Sequence, residues 1–250
     1  MAFLLIALIL IVLIGVIVSS RLKAGRTAIP GSGNLITQIK PFDNFTRINV
    51  GNAFQVEISM AIHHSVAITA DDNVIELIEV EKEGDTLRIG LETGDYDEVT
   101  LKVKIGLPEL DGLLMTGATR GVLGDVSSAT DLSISLSGAS SLEGQLEVRK
   151  GDFRLSGASR IRLSGSTDSL SIRGSGASIF DLGEFAVSRG EVILSGASRA
   201  TVRVGESLDR VDLSGASLLS YTGEAEIKEV STTGASSIER NRSEEARSDP

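Results

Sequence analysis

A short phrase of small residues returns at a nearly fixed interval from the middle of the chain to its end, and this repetition limits the fold more than any other feature. It reads Thr116-Gly117-Ala118-Thr119, Ser137-Gly138-Ala139-Ser140, Ser156-Gly157-Ala158-Ser159, Ser175-Gly176-Ala177-Ser178, Ser195-Gly196-Ala197-Ser198, Ser214-Gly215-Ala216-Ser217 and Thr233-Gly234-Ala235-Ser236. The glycines stand 21, 19, 19, 20, 19 and 19 residues apart. Self-similarity at this period in strand-type sequence marks a solenoid, in which no single repeat can bury its apolar face alone.

Aligned on the glycine, the position four residues earlier holds Leu113, Ile134, Phe153, Ile172, Val192, Val211 and Val230. Two residues earlier stand Met115, Leu136, Leu155, Gly174, Leu194, Leu213 and Thr232. Apolar and polar residues therefore alternate into the bend, as in a half-buried strand. Four residues past the glycine come Gly121, Leu142, Ile161, Phe180, Ala200, Leu219 and Ile238, so a second strand leaves the corner. Gly117, Gly138, Gly157, Gly176, Gly196, Gly215 and Gly234 are read as structural turn residues that supply positive φ or a close backbone approach. Two strands and two turns per coil of 19–20 residues, stacked at about 4.8 Å, give an all-β parallel β-helix with one continuous apolar interior.

Aromatic residues make up 4% of the chain, which suits a narrow interior of Leu, Ile and Val ladders. With no cysteine, the chain has no disulfide, thiolate metal site or cysteine nucleophile. Ala2 to Val18 is an unbroken apolar run of 17 residues, read with its flank as a membrane anchor or export signal over residues 1–20. Arg21, Lys23 and Arg26 follow it with no basic residue before it, which by the positive-inside rule places the domain in the cytoplasm. Past that flank the chain carries 21 basic against 34 acidic residues, a balance of −13. Such a domain repels nucleic acid and anionic lipid head groups, so no nucleic-acid partner is expected.

In chain order, residues 21–33 read as a linker and residues 34–238 as the β-helix domain, divided into irregular capping coils over 34–112 and regular coils over 113–238. Asn52 fits the frame in the glycine's place, with Ile48 and Val50 before it and Val56 and Ile58 after it; asparagine tolerates the left-handed conformation best after glycine. Residues 239–250 are almost wholly polar and read as a disordered tail.

Gly31-Ser32-Gly33-Asn34, Phe45-Thr46-Arg47-Ile48 running into Ala53-Phe54-Gln55-Val56, Asp71-Asp72-Asn73, Leu87-Arg88-Ile89, the stretch Leu107-Pro108-Glu109-Leu110-Asp111-Gly112-Leu113 and the repeated Ser-Gly-Ala-Ser together resemble the putative auto-transporter adhesin, head GIN domain family. The resemblance covers about residues 31 to 238. It implies a right-handed β-helix on an exported, membrane-attached microbial protein, and it supplies no catalytic residue. It also favours export over the cytoplasmic orientation of the charge flank.

Hydroxyls recur in two columns. The one before the glycine, Thr116, Ser137, Ser156, Ser175, Ser195, Ser214 and Thr233, points outward by alternation and is a candidate surface-binding strip for polysaccharide or another surface protein. The alternative is that short hydroxyls cap corner backbone groups. Arg154 and Arg173 share an outward position with Asp212, and Arg160 and Arg199 share another; an arginine–carboxylate constellation of that kind is what a carbohydrate-active β-helix enzyme needs, whereas solvated surface pairs are the plainer reading. His63-His64 lack a third ligand nearby, and the turns carry Ser where calcium solenoids carry Asp. No catalytic residue, metal or cofactor is therefore expected. The reading is a membrane-attached, non-catalytic extracytoplasmic module for adhesion or scaffolding. The alternatives are a carbohydrate-active enzyme and a cytoplasm-facing scaffold that polymerises by adding coils.

Overall fold

The computed structural model describes residues 28–241, and the expected anchor over residues 1–20 lies outside them. The strands before the repeats are β1 (Ile29–Pro30), β2 (Leu35–Ile39), β3 (Arg47–Val50), β4 (Gln55–Met60), β5 (Ser65–Asp71), β6 (Ile78–Glu83), β7 (Thr86–Leu91), β8 (Tyr96–Asp97) and β9 (Leu101–Leu107). Then come β10 (Gly112–Met115), β11 (Arg120–Leu136), β12 (Ser141–Leu155), β13 (Arg160–Gly174), β14 (Ile179–Leu194), β15 (Arg199–Leu213), β16 (Leu218–Thr222), β17 (Glu226–Ile227), β18 (Val230–Thr232) and β19 (Ser237–Arg240). Among the described residues the only helical piece is one 3-10 turn, Ile75–Leu77.

The bends lie in a single file. The Ala139 N–H donates to the Gly117 carbonyl at 2.6 Å, and the same bond recurs at 2.7 Å from Ala158 to Gly138, Ala177 to Gly157, Ala197 to Gly176, Ala216 to Gly196 and Ala235 to Gly215. Between the bends the ladders are parallel, with register shifts between β11 and β12, β13 and β14, and β14 and β15, and on the strand that enters each corner Leu113, Ile134, Phe153, Ile172, Val192, Val211 and Val230 stack as one column. The chain is an all-β solenoid of about seven turns.

From β11 to β15 each regular coil is one long strand rather than two. In β12 the buried positions run Leu142, Leu146 and Val148, slip at the exposed pair Arg149 and Lys150, and resume at Gly151, Phe153 and Leu155. The second bend thus shows as a change of phase within one strand, with a register shift there between β11 and β12 and between β14 and β15. Inside, large and small side chains interlock: a methyl group on Gly174 would lie 2.7 Å from the Phe180 ring and 2.8 Å from Leu194, and Ala200 pairs with Phe180 in the next coil. Phe153 and Phe185 meet in a tilted pair with centroids 6.1 Å apart. Such interdigitation is what gives an interior native density.

Asn52 and Ala53 take positive φ, 59° and 65°, and a methyl group on Gly117 would lie 3.3 Å from the Asn52 nitrogen, so this corner begins the file. Above it, β7 and β9 stack in parallel on β3 and β4. The outermost strands do not continue the coil: β6 runs antiparallel to β7, and β5 and β2 run antiparallel beyond β9. The cap is therefore a pair of antiparallel additions rather than irregular coils. A reversed strand covers the apolar end without demanding another coil, and β6 carries Glu79, Glu81, Lys82 and Glu83 at its edge.

Two boundaries differ from the sequence expectation. The second half of the 21–33 linker is docked: β1 pairs with β8, Ser32 Oγ donates to Asp72 at 2.6 Å, and Asn73 Nδ2 donates to the Pro30 carbonyl at 2.8 Å. At the other end, β19 continues to Arg240, inside the segment assigned to the tail, because its backbone completes the ladder on β16 and Arg240 pairs with Glu224. Backbone pairing needs no apolar side chain, so polarity alone misplaces both limits.

Candidate functional site

The two hydroxyl columns have different surroundings. Thr119, Ser140, Ser159, Ser178, Ser198 and Ser217 are buried at the corner. Each hydroxyl donates back three residues: Ser140 to the Ser137 carbonyl, Ser159 to Ser156, Ser198 to Ser195 and Ser217 to Ser214 at 2.8 Å, with Thr119 to Thr116 at 2.7 Å and Ser178 to Ser175 at 2.6 Å. This column closes the turn from inside. The candidate strip itself lies at the rim: Thr116, Ser137, Ser156, Ser195 and Ser214 are half-buried, Ser175 and Thr233 exposed. Ser195 and Ser214 reach the carbonyls of Gly174 and Leu194 only at 3.4 and 3.5 Å. Gly and Ala of each corner, between the columns, are exposed.

The Arg154, Arg173 and Asp212 column sits in an ion-pair network. Arg154 forks onto Asp152 at 2.7 and 3.2 Å, Arg173 lies between Asp152 at 3.5 Å and Glu191 at 3.4 Å, and Arg210 holds Asp212. The Arg210 hydrogen bond, then that of Ser231, keeps the Asp212 carboxyl below its usual range; Lys228 and then Ser207 do the same for Asp209. The carboxyls whose pKa is displaced here move away from what a general acid at neutral pH requires. His64 has a role in packing: its Nε2 is 2.8 Å from the Phe45 carbonyl, and its ring packs at 4.6 Å on the buried Phe45. Among the described residues no group of His, Cys, Asp and Glu gathers as a metal site.

Arg160 and Arg199, by contrast, are not surface pairs. They project from the face that leaves the corner, where one register places Lys102, Gln55, Arg120, Ser141, Arg160, Ile179 and Arg199 on successive strands. Lys102, Arg120, Arg160 and Arg199 are all exposed and, among the described residues, none forms an ion pair. In the neighbouring column of the same face Lys104 pairs with Glu57 at 2.7 Å and Arg162 with Asp181 at 2.8 Å. The short side chains of Val122 and Ser141, between longer ones, leave an open groove of about 640 Å³ lined by Lys102, Lys104, Arg120, Arg160 and Arg162. Arg120 could have been found beside Arg160 and Arg199 from the glycine frame alone. Lys102 could not, since β9 lies outside the repeat and joins the column only by stacking on β4.

The profile of the family described as putative auto-transporter adhesin, head GIN domain, matches residues 44–225. The chain belongs to this family. No curated protein matches it. Among solved structures it is similar to a putative adhesin from Bacteroides fragilis, with TM-score 0.75 and 20% identity over 86% of this chain and 100% of that one. A putative adhesin from Parabacteroides merdae gives 0.66 and 16% over 86% and 99%, and a putative lipid binding protein from Parabacteroides distasonis 0.64 and 16% over 86% and 100%. At these identities the likeness is one of fold alone, and the charged columns are read from this chain.

Proposed function

We propose that this head GIN domain is a non-catalytic interaction module, attached to the membrane through its N-terminal segment and displayed outside the cytoplasm, where it adheres to polysaccharide or to another surface protein. The groove carries this reading: an open trough on a rigid solenoid, among whose lining side chains Lys102, Arg120 and Arg160 form no ion pair among the described residues. A stacked sheet presents such columns without reorganising, which lowers the cost of binding an extended partner. Family membership supports the extracytoplasmic placement and the absence of chemistry. The apolar run from Ala2 to Val18 supports attachment.

A native chain without cysteine offers a clean test. With Ala177→Cys at an exposed corner, a membrane-impermeant maleimide is expected to label intact cells; labelling only after lysis would replace this reading by the cytoplasm-facing scaffold. Purified protein is expected to bind polysaccharide- or cell-coated surfaces without cutting them, and turnover of a polysaccharide would favour the enzyme instead.

A further inference from the structure

The exposed face that leaves the corner alternates in charge from strand to strand. Strand β9 presents Lys102 and Lys104, β11 presents Arg120, β13 presents Arg160 and Arg162, and β15 presents Arg199. The strands between them present acids: Glu57 on β4, Glu143 on β12 and Asp181 on β14. Opposite charges on adjacent strands stabilise a sheet, and the pairs Lys104–Glu57 and Arg162–Asp181 are accounted for in that way. The column of Lys102, Arg120, Arg160 and Arg199 is not, for its neighbours across the ladder are Gln55, Ser141 and Ile179. Four cations without ion-pair partners among the described residues thus recur at every second strand, about 9.6 Å apart, in a chain of net charge −10.

We propose that this column is a cation ladder that binds an extended acidic polysaccharide with one carboxylate per disaccharide, laid along the solenoid axis through the groove. An extended disaccharide is about two strand spacings long, so successive carboxylates meet successive cations while the intervening neutral sugars cross Gln55, Ser141 and Ile179. Glu143, which has no ion pair among the described residues, sits on an intervening strand and repels a carboxylate placed there. It therefore selects sparse charge over dense charge. Duplex nucleic acid, with a phosphate about every 3.4 Å along each strand, does not fit the spacing. The proposal deepens the adhesion reading and rests on it.

The full chain in detergent solution is titrated with a hyaluronan octasaccharide, which alternates a uronate with a neutral sugar. Saturable, salt-sensitive binding is expected, with none to the carboxyl-reduced octasaccharide and weaker binding to polygalacturonate, which is charged on every sugar. Arg160→Gln with Arg199→Gln, two exposed sites that leave the fold intact by circular dichroism, is expected to lower affinity about tenfold. Glu143→Gln is expected to narrow the preference over polygalacturonate. Deleting residues 138–156 removes one neutral-rung coil with three acids and three bases, joins Ser137 to Gly157, and brings Arg120 beside Arg160. Net charge is unchanged, and discrimination between the two polymers should be lost. Binding that ignores the arginine pair, equal affinity for both polymers in the native chain, or capture only of anionic vesicles or oligonucleotides would overturn the ladder. Adhesion reading and ladder fail separately: a chain that is labelled on intact cells and binds another surface, but not hyaluronan, keeps the first and loses the second.

Discussion

At the corner the repeated glycine meets two demands at once. Gly176 has φ +74°, and a methyl group there would sit 2.6 Å from the carbonyl oxygen of Gly157, the acceptor of the Ala177 N–H. Gly176→Ala is therefore expected to lower stability by about 3 kcal/mol, from left-handed strain together with a broken rung. Gly33, at φ +79° with nothing within 4 Å of an added methyl group, should lose only about 1–2 kcal/mol on the same change. Equal losses in chemical denaturation would mean that backbone crowding in the file is not what selects glycine. The alanine beside each glycine has no such constraint, being exposed.

At the level of elements, the N-terminal cap is held by one carboxylate. Asp71, buried at the end of β5, accepts the Gly33 N–H and the Thr100 N–H at 2.7 Å each, one on each oxygen. The Thr100 bond, then the Gly33 bond, holds its pKa below the usual value against the opposing effect of burial. A depressed folded-state pKa stabilises the protein above the unfolded pKa, and that contribution is lost as the pH falls through the folded value. The cap is therefore expected to loosen below about pH 4. Asp71→Asn places an amide donor against one of two N–H groups, so it should lower the melting temperature at pH 7 and remove this acid-side loss. A variant that melts like the native chain at both pH 7 and pH 3 would contradict this role.

Over the whole molecule, contacts fall almost wholly between adjacent coils, so stability is close to a sum of stacking terms along one axis. The two ends are unequal. Antiparallel strands seal the first, whereas at the last coil Val230, which continues the buried column, is 55% exposed and β18 is open to solvent. Amide exchange is expected to be slowest in β12 to β15 and fastest in β18 and β19, with the gradient set by distance from the open end. Uniform protection along the solenoid would show that the last coil is covered by something other than the described residues.

The sequence by itself determined the coil, because a bend that admits only small residues and left-handed backbone recurs in phase with an apolar alternation, and both signals are local. It also placed Asn52 in the file and Arg160 with Arg199 in one column. What the tertiary structure decided is whatever depends on which strand lies beside which. The cap reverses direction, Lys102 joins the arginines from outside the repeat, and Arg154 and Arg173 are neutralised by Asp152 and Glu191 while Arg160 and Arg199 have no ion pair among the described residues. Periodicity gives each residue a position within its coil. Only stacking gives it neighbours, and charge acts through neighbours.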